Sequence, residues 1–596
     1  MARISTYTTD SSIAGTEKIL GTDAGTTKLF SLSALATYFT NSVTLTASWG
    51  SDFTPSVDGT YDLGSTSAEW QDLWLDGTAN IDTLTAGIGT FSGTLGVTGI
   101  TSVVDLGITG ELNMDGSAGT SGQYLQSQGD GNTPAWDTLS LNDLSDVLVA
   151  DSSLYLGHDP TSTDSTAQYN IAVGATALDA ITTGDSNTAV GYNALTACQS
   201  GSNNIALGYT ALDSLTTGNY SIAIGHGAGA AITTEDTKGI FIGVSAGASI
   251  TSGAENILIG YQTGDAMTTG SENIAIGNAA LGSNDTGDEN VAVGYAALGS
   301  LNPSGSVNMG NVGIGFKAGY SLTTGVENIF LGHSSGYSST SAVYNVALGH
   351  KALYTNVDGD GNVAVGYEAL YTHEPSDGYS YNTAIGFRAG KAITTSVGNT
   401  FIGGLAGVAD QTGVNTGIGY KVLTAVTTGT QNVAIGEEAM AGNVDGDNSV
   451  AIGYRALYAQ DPSGNADMYN VAIGHSAGIA TTVGTKNIFV GGSAGYTNVD
   501  GSKSVGIGFE ALKVQEPSGA TDCHNIGIGD QAGVVLSTGI KNIAIGGSTV
   551  ATLTTGSNNI AIGYSTDVSA SGATNQVVIG YDTASFLDNS VMLGNA

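Results

Sequence analysis

From residue 170 onward, apolar and polar positions follow one pattern that recurs to the end of the chain. Each copy reads N-[IVT]-[AGF]-[IVL]-G-[YFHG]-x-[AS]-[LG] and is followed by a polar, turn-forming stretch. Twenty-four copies begin between Asn170 and Gln576, and the dominant step is about 17 residues, as from Asn170 to Asn187. A fixed period this short, with strand-forming residues in every copy, predicts a solenoid in which each copy is one coil.

Within a copy, two aliphatic residues flank a small one. In the copy that begins NIALG, Ile205 and Leu207 share one face of a short strand and Ala206 lies on the other. We expect neighbouring coils to pair as parallel strands, with the aliphatic pair inside, a corner at Gly208 and a ladder of buried Asn amides at another corner. The predicted fold class is all-β, a parallel β-solenoid of about 24 repeats of about 17 residues.

The middle position of the predicted strand indicates a partner chain. It is mostly Ala or Gly, but in four copies it is Phe, each time with Gly six residues later. On the expected orientation this face points away from the coil's own core, and soluble monomers avoid exposing such a face. We therefore expect the chain to associate with itself there, and the four Phe on the expected trimer face are Phe241, Phe330, Phe401 and Phe489.

Four copies are longer than the rest, at about 20 residues, and each insertion contains Pro-Ser. Insertions in a solenoid form loops on one face, often the binding face. Two interpretations stay open, a tolerated surface loop and a loop that contacts a partner. The candidate contact residues are Pro303, Ser304, His373, Pro375, Tyr379, Tyr381, Pro462, Tyr469, Pro517 and His524.

The chain before the repeats divides into three further segments. Residues 1–43 contain the one convincing helical pattern, within 27–39. Residues 44–115 hold short strands interrupted by Gly, which cannot bury a face alone and are expected to intertwine between chains. Residues 116–169 form a turn-rich β module or linker, and residues 170–596 form the solenoid.

Charge and composition narrow the class of partner. The chain has 14 Lys+Arg against 52 Asp+Glu and a formal net charge of −38, so it repels nucleic acid and anionic lipid. No stretch approaches the roughly 20 apolar residues of a membrane span, and the first residues lack the apolar run of a signal peptide. We expect no nucleic-acid partner and no membrane insertion. Cys198 and Cys523 are expected about 90 Å apart, too far for a disulfide.

Catalytic sequence motifs are either missing from the chain or are produced by the repeat pattern itself. Gly-x-Ser-x-Gly occurs at residues 243–247 and 474–478, but between two short strands rather than at the strand-to-helix turn of a nucleophile elbow. The Asp-rich turns at 356–362 and 443–448 resemble half of a Ca²⁺ loop without its distal Glu. We expect no enzymatic activity and no cofactor, with Ca²⁺ as the open alternative.

Two resemblances suggest a biological setting. The N-I-A-I-G core resembles the head repeats of trimeric autotransporter adhesins over residues 170–596, which implies a left-handed β-roll in a bundle of three chains. The N-terminal quarter resembles tail-fibre and whisker proteins of bacteriophages, particularly phages of cyanobacteria. That resemblance is carried by RISTYTTDSSIAGTEKILGTD, DLGSTSAEWQDLWLDGTANIDTL and SGQYLQSQGDGNTPAW. The final SVMLGNA is similar to the stretch before a C-terminal chaperone domain in such fibres.

Together these resemblances imply a homotrimeric fibre of a phage virion, made in the host cytoplasm. Residues 1–43 would dock on other virion proteins, and the solenoid would project outward to adhere to a host-surface glycan or protein. Three alternatives remain: a bacterial cell-surface trimeric adhesin, a polysaccharide depolymerase, and an ice-binding solenoid. The last requires a flat Thr-x-Thr array, whereas Thr here falls in turns of variable sequence.

Overall fold

The computed structural model describes residues 18–23, 26–31, 123–126, 135–138, 147–157, 166–233, 237–375, 378–411 and 413–594. These ranges contain strands and turns and no helix, which confirms the all-β class for the described residues. Accordingly, nothing helical in them is long or apolar enough to cross a membrane. The chain divides into two compact units, Met1–Leu112 and Asn113–Ala596. The predicted intertwined segment 44–115 lies outside the described residues.

The described part of the first unit is an antiparallel hairpin. Strand β1 (Lys18–Asp23) pairs with β2 (Thr26–Ser31), and Asp23 lies opposite Thr26. The short helix expected within 27–39, with Ser31 or Ser33 as its cap, would follow β2, and residues 32–39 lie outside the described ranges. Pairing with β1 satisfies the backbone groups of both segments, and the Ala-Gly connection of two residues is the length that a tight hairpin requires.

Two more hairpins precede the repeats in the second unit. Strand β3 (Gln123–Gln126) pairs antiparallel with β4 (Ala135–Thr138), and β5 (Val147–Ala150) pairs antiparallel with β6 (Ser153–Leu156). Asp151 and Ser152 connect β5 to β6 with φ of 47° and 63°, the two positive values of a type I′ turn. Strand β6 then pairs in parallel with the first strand of the repeats, so the hairpin starts the solenoid sheet.

Each copy of the repeat contributes one three-residue strand to a single parallel sheet, and each such strand pairs with its equivalent in the next coil. This confirms the parallel β-solenoid. The strands of the repeats, in chain order, are β7 (Ile171–Val173), β8 (Thr188–Val190), β9 (Ile205–Leu207), β10 (Ile222–Ile224), β11 (Ile240–Ile242), β12 (Ile257–Ile259), β13 (Ile274–Ile276), β14 (Gly287–Asp288), β15 (Val291–Val293), β16 (Val307–Asn308), β17 (Val312–Ile314), β18 (Ile329–Leu331), β19 (Val346–Leu348), β20 (Val363–Val365), β21 (Thr383–Ile385), β22 (Thr400–Ile402), β23 (Thr416–Ile418), β24 (Val433–Ile435), β25 (Gly446–Asp447), β26 (Val450–Ile452), β27 (Ala466–Asp467), β28 (Val471–Ile473), β29 (Ile488–Val490), β30 (Gly501–Ser502), β31 (Val505–Ile507), β32 (Thr521–Asp522), β33 (Ile526–Ile528), β34 (Ile543–Ile545), β35 (Ile560–Ile562), β36 (Val577–Ile579) and β37 (Val591–Leu593).

The four insertions all return to the same turn of the preceding coil. Three of them form the two-residue pairs β14–β16, β25–β27 and β30–β32, all parallel. The fourth forms an isolated parallel bridge between Asp360 and Tyr379. The expectation that the insertions map to one face of the solenoid is therefore confirmed.

The side chains of each strand face the opposite way from the prediction. In β9, Ala206 is fully buried, whereas Ile205 is 37% exposed and Leu207 is half-buried. The core is filled instead by that small residue and by large residues from the turn that follows, such as Leu212 and Leu215. Because a coil of about 17 residues is narrow, the large side chains of the turn leave room for only a small one on the strand.

The reversed orientation of the strand also changes the position of the four Phe residues that were expected on a trimer face. All four, Phe241, Phe330, Phe401 and Phe489, are fully buried inside their own coils, so they are not on a trimer face. The predicted size compensation with Gly does hold, within one chain: a Cβ added at Gly336 would lie 2.4 Å from Cδ1 of Phe330. The Phe ring thus occupies the space that Leu212 fills in an ordinary coil.

The corners of the coil match the prediction. The Asn187 amide nitrogen donates to the Gly201 carbonyl at 2.8 Å, and its Oδ1 accepts the backbone N–H of Asn204 at 3.0 Å, so the buried Asn ladder is confirmed. At the other corner Gly208 has φ of 146°, and an added Cβ would lie 2.4 Å from the carbonyl oxygen of Gly225. A side chain cannot fit there because the next coil stacks directly on this glycine.

Candidate functional site

The residues of the Pro-Ser insertions separate into a buried and an exposed group. Four prolines and His373 are buried, and Pro375 packs where a Cβ at Gly359 of the preceding coil would lie 2.7 Å from its Cγ. Pro375 therefore packs its loop against the preceding coil, and the burial of the other three prolines leaves them little surface for a partner. The buried candidates are Pro303, His373, Pro375, Pro462 and Pro517. The exposed candidates are Ser304, Tyr379, Tyr381, Tyr469 and His524.

His373 is buried without a hydrogen bond of ordinary geometry at either ring nitrogen. It occupies the core position that holds Leu215 or Leu322 in other coils. Burial lowers the pKa of His373 to about 4, against a smaller opposing effect of the Thr394 backbone. The side chain is thus a neutral core residue rather than a contact residue.

The Asp-rich turns use their carboxylates inside the fold. Asp360 Oδ1 accepts the Val343 N–H at 2.8 Å, and Asp447 Oδ1 accepts the Thr430 N–H at 2.6 Å. Each carboxylate thereby satisfies a backbone donor of the preceding coil. Across the described ranges, no three His, Cys, Asp or Glu side chains are grouped so that they could hold a metal ion.

The Ser and Cys side chains that drew attention in the sequence have structural positions. Ser245 and Ser476, in the Gly-x-Ser-x-Gly segments, adopt φ of 56° and 54° at the turn after the strand, and turn rather than helix follows each of them. Cys198 and Cys523 are buried and free, and burial raises the pKa of the Cys198 thiol to about 12. A thiol with so high a pKa is a poor nucleophile at neutral pH.

An exposed aromatic column, which the sequence analysis did not identify as a site, runs along the corner after the strand. It is formed by the sixth residue of successive copies, counted from the initial Asn. Neighbouring ring centroids are 4.9–5.4 Å apart. The first column consists of Tyr295, Phe316, His333, His350, Tyr367 and Phe387. In the sequence, this aromatic column corresponds to the [YFHG] position of the repeat motif.

A second column lies beside the first, at the tenth position of the copies. Its rings stack with centroids 5.1–5.5 Å apart, and its members are Tyr320, Tyr337, Tyr354 and Tyr371. The seventh position lies between the two columns. There the Lys317 Nζ is 4.8 Å from the Tyr320 ring centroid and 5.7 Å from that of Phe316. Such contacts hold a cation over the negative faces of the rings.

The cations further along this corner are neutralised by carboxylates. Arg388 and Lys391 both pair with Glu368, at 2.9 and 2.7 Å, and the hydrogen bond from Lys391 is the main cause that lowers the pKa of Glu368. None of the ion pairs among the described residues involves Lys317 or Lys351. These two lysines are therefore available to an external anion.

A cleft of about 280 Å³ opens where the second column begins. Small residues at the seventh and tenth positions of two successive coils form its floor, and bulkier ones close each end along the solenoid. The floor consists of Ala279, Gly282, Ser283, Ala296 and Gly299. The ends and side wall consist of Gln262, Asp265, Tyr295, Lys317 and Tyr320.

The outer face of the solenoid sheet is apolar along its whole length. The second and fourth residues of every copy point outward, and each of these positions holds Ile, Val, Leu or Thr. Ile274 and Ile276, for example, are 37% and 38% exposed. We call this surface the aliphatic face. Soluble monomers rarely expose an apolar surface of this extent.

The chain matches no protein-family model, and no curated protein or solved structure is similar to it.

Proposed function

We propose that this protein is a structural fibre of a bacteriophage virion, a tail fibre or whisker whose solenoid projects from the particle. The carrying observation is the continuous parallel sheet from β6 to β37, in which the main strand of each coil pairs with the equivalent strand of the next coil. A β-solenoid of this kind is compatible with a structural fibre or an adhesin. Because each coil contacts only its neighbours, length can be added without a new core.

We place the attachment point in residues 1–43. This segment precedes the repeats, and it carries part of the resemblance to the virion-proximal end of phage fibres. The partners there would be other virion proteins, and the protein would reach the virion after synthesis in the host cytoplasm. The solenoid would then adhere to a host-surface glycan or protein, with no enzymatic step and no cofactor.

We further propose that three copies of the chain associate in parallel through the aliphatic face. Two exposed aliphatic columns that run the length of the sheet, with no charged residue in either, are unfavourable in water. A second copy in the same register places aliphatic against aliphatic in every coil, which few other partners could match. The number three rests on the resemblance to trimeric adhesin heads.

Immuno-electron microscopy with antibodies against the solenoid would test the virion assignment. We expect label along thin projections of purified phage particles. Label on the envelope of bacterial cells, with none on particles, would instead support a bacterial cell-surface adhesin, which is the alternative function. Absence of label from both would contradict the fibre proposal.

A further inference from the structure

The cleft at the start of the second aromatic column has three features of a saccharide site. The first is an aromatic face without a neighbour. Tyr337 stacks on one side of Tyr320, but on the other side stands Gly299, where an added Cβ would lie 3.4 Å from the ring carbons. Tyr320 is half-buried, and this face of its ring has no aromatic neighbour, so it can receive a flat apolar surface, such as the C–H face of a sugar ring.

The second feature is an unpaired cation beside that ring. Lys317 is held by three aromatic rings, at 4.8, 5.7 and 6.0 Å from their centroids, and by no carboxylate among the described residues. In a chain with a net charge of −38, a lysine fixed at the rim of a cleft without a counterion is unusual. It can pair with an anionic group of a ligand.

The third feature is the polarity of the cleft. Asp265 and Gln262 close the end opposite to Lys317 and Tyr320, three coils away, or about 14 Å at the spacing of parallel strands. Their oxygens and amide can bind hydroxyl groups. The volume of about 280 Å³ is slightly below the roughly 300–1,000 Å³ of sites for drug-sized molecules, which suits one or two sugar rings.

We propose that this cleft binds two successive sugar units of a host-surface polysaccharide: an acidic unit with its ring on Tyr320 and its carboxylate on Lys317, and a neighbouring unit with hydroxyl groups on Asp265 and Gln262. The inference rests on the proposed role in adhesion and names the ligand class for it. The cleft lies on the wall of the coil that follows the corner glycine, whereas the aliphatic face lies on the strand wall.

The chain offers a matched control for the lysine. Lys351 occupies the same position of its copy, contacts Tyr354 at 5.3 Å and also lacks an ion pair. It differs in one respect: the preceding coil carries Tyr337 at the tenth position, so no cleft opens beside it. A general attraction of anions to lysines would treat both residues alike.

The cleft can also be filled without disturbing the fold. Position seven holds Ala279 on the cleft floor but Gln262 one coil earlier, and the two residues have nearly the same φ, 53° and 51°. Ala279→Gln should therefore fold normally while its side chain occupies the space for the ligand.

The test is a titration of the full chain, followed by saturation-transfer NMR, with one of three probes: the methyl glycoside of a disaccharide that contains glucuronic acid (the glucuronide), the same disaccharide with glucose in that place (the glucoside), or acetate. We expect the glucuronide to bind about tenfold more tightly than the glucoside, since the charge-assisted contact is lost in the latter. Lys317→Gln should remove that preference, Lys351→Gln should leave it, and Ala279→Gln should abolish binding of both sugars. Equal binding of acetate and glucuronide, or unchanged binding by Ala279→Gln, would overturn the proposal.

Adhesion of the same variants to host cells separates this inference from the proposed function. If the wild-type protein adheres and Ala279→Gln adheres equally well, the cleft is not the adhesive site and only the inference fails. If no variant adheres but the glucuronide binds in the cleft, the ligand site stands and the adhesive role fails.

Discussion

A single buried side chain strongly affects local stability in this fold, because the core of each coil consists of a few residues. His373 shows the effect most clearly, since it replaces an aliphatic residue of the core and is held neutral by burial. Neighbouring coils stack directly on His373, so protonation of its ring should destabilise mainly the two coils around it. We therefore expect pH to change the stability of the solenoid through this single residue.

We predict that acid opens the coil at residues 362–381 before the rest of the solenoid. The pKa of His373 is about 4 in the folded chain against an ordinary value of 6.5, so its contribution is complete above pH 6.5 and is lost as the pH falls toward 4. The local free energy of opening should fall by up to about 3 kcal/mol over that window. Hydrogen exchange at pH 7 and pH 4.5 would measure it.

Two variants control that experiment. His373→Leu restores the residue found at this position in other coils and should remove the local pH dependence. His475, which is exposed at the sixth position of its copy, provides the comparison, because His475→Tyr should leave the exchange profile unchanged. Uniform opening of all coils at pH 4.5 in the wild type would show that His373 is not the cause.

At the scale of one coil, packing depends on how the side chains of the strand and of the turn together fill a narrow interior. Most coils with Ala on the strand have Leu in the turn, as Ala206 and Leu212 do, whereas every coil with Phe on the strand has Gly in the turn, as Phe330 and Gly336 do. Both combinations fill the same space, and in every copy with Phe on the strand the turn position is Gly, since the Phe ring leaves no room for a side chain there.

We predict that Phe330→Ala and Gly336→Leu each destabilise the protein but partly compensate each other. The first change opens a cavity and should cost about 3–5 kcal/mol, and the second places a side chain against the Phe330 ring. The double variant recreates the Ala and Leu combination. Recovery should be partial, because Phe330 also contacts Gly319 of the preceding coil, where an added Cβ would lie 2.7 Å from the ring.

Calorimetric melting of the four proteins of this cycle measures the coupling. The control combines Gly336→Leu with Phe241→Ala, five coils away, for which the two effects should add. A double variant at Phe330 and Gly336 that melts as low as the sum of the single changes would contradict the compensation.

The sequence predicted the period, the parallel pairing and the Asn ladder, because each depends on residues that recur at a fixed step. It did not reveal which way the strand faces. A strand of three residues, such as Ile205 to Leu207, alternates only once, so its pattern suits either orientation. The large residues across the coil, Leu212 and Leu215, decide the matter, and their contact with the strand is known only from the folded coil.

Other features were not predicted from the sequence, for related reasons. The hairpin of β1 and β2 was not predicted, because its conformation depends on the pairing of the two segments rather than on the apolar spacing of either one. The cleft depends on four successive copies at once, since Gly282 and Gly299 matter only between Asp265 and Tyr320. Aligning the copies by position, rather than following the chain, would have shown that interruption of the column.

At the scale of the whole molecule, the aliphatic face determines whether the solenoid can exist alone. We predict that the full chain has a mass in solution near three times 59.5 kDa, measured by light scattering. Replacing Ile240, Ile257 and Ile274 by Lys on three successive coils should weaken the trimer, because buried unpaired charges cost several kcal/mol each. The coils themselves should stay folded, since these side chains point outward.

Asn278→Lys, at an exposed position of the same region, is the matched control for added charge and should leave the mass unchanged. A wild-type chain that is a stable monomer would contradict association through the aliphatic face. Loss of the strand signal in the triple variant would instead show that the three Ile side chains support the coil itself.

The last prediction concerns the orientation of the fibre on the particle. If residues 1–43 attach the fibre, deletion of residues 2–43 should leave a trimer with unchanged melting of the solenoid, because the solenoid sheet begins only with the β5–β6 hairpin and each of its coils depends on its neighbours. The truncated protein should be missing from purified virions, which quantitative immunoblotting of particles would measure. As a control for truncation, removal of residues 590–594, the segment around the terminal strand β37, should leave incorporation intact. Truncated protein on virions at the normal copy number would reverse the proposed orientation. The exposed tyrosines of the insertions, Tyr379, Tyr381 and Tyr469, would then become the candidates for attachment.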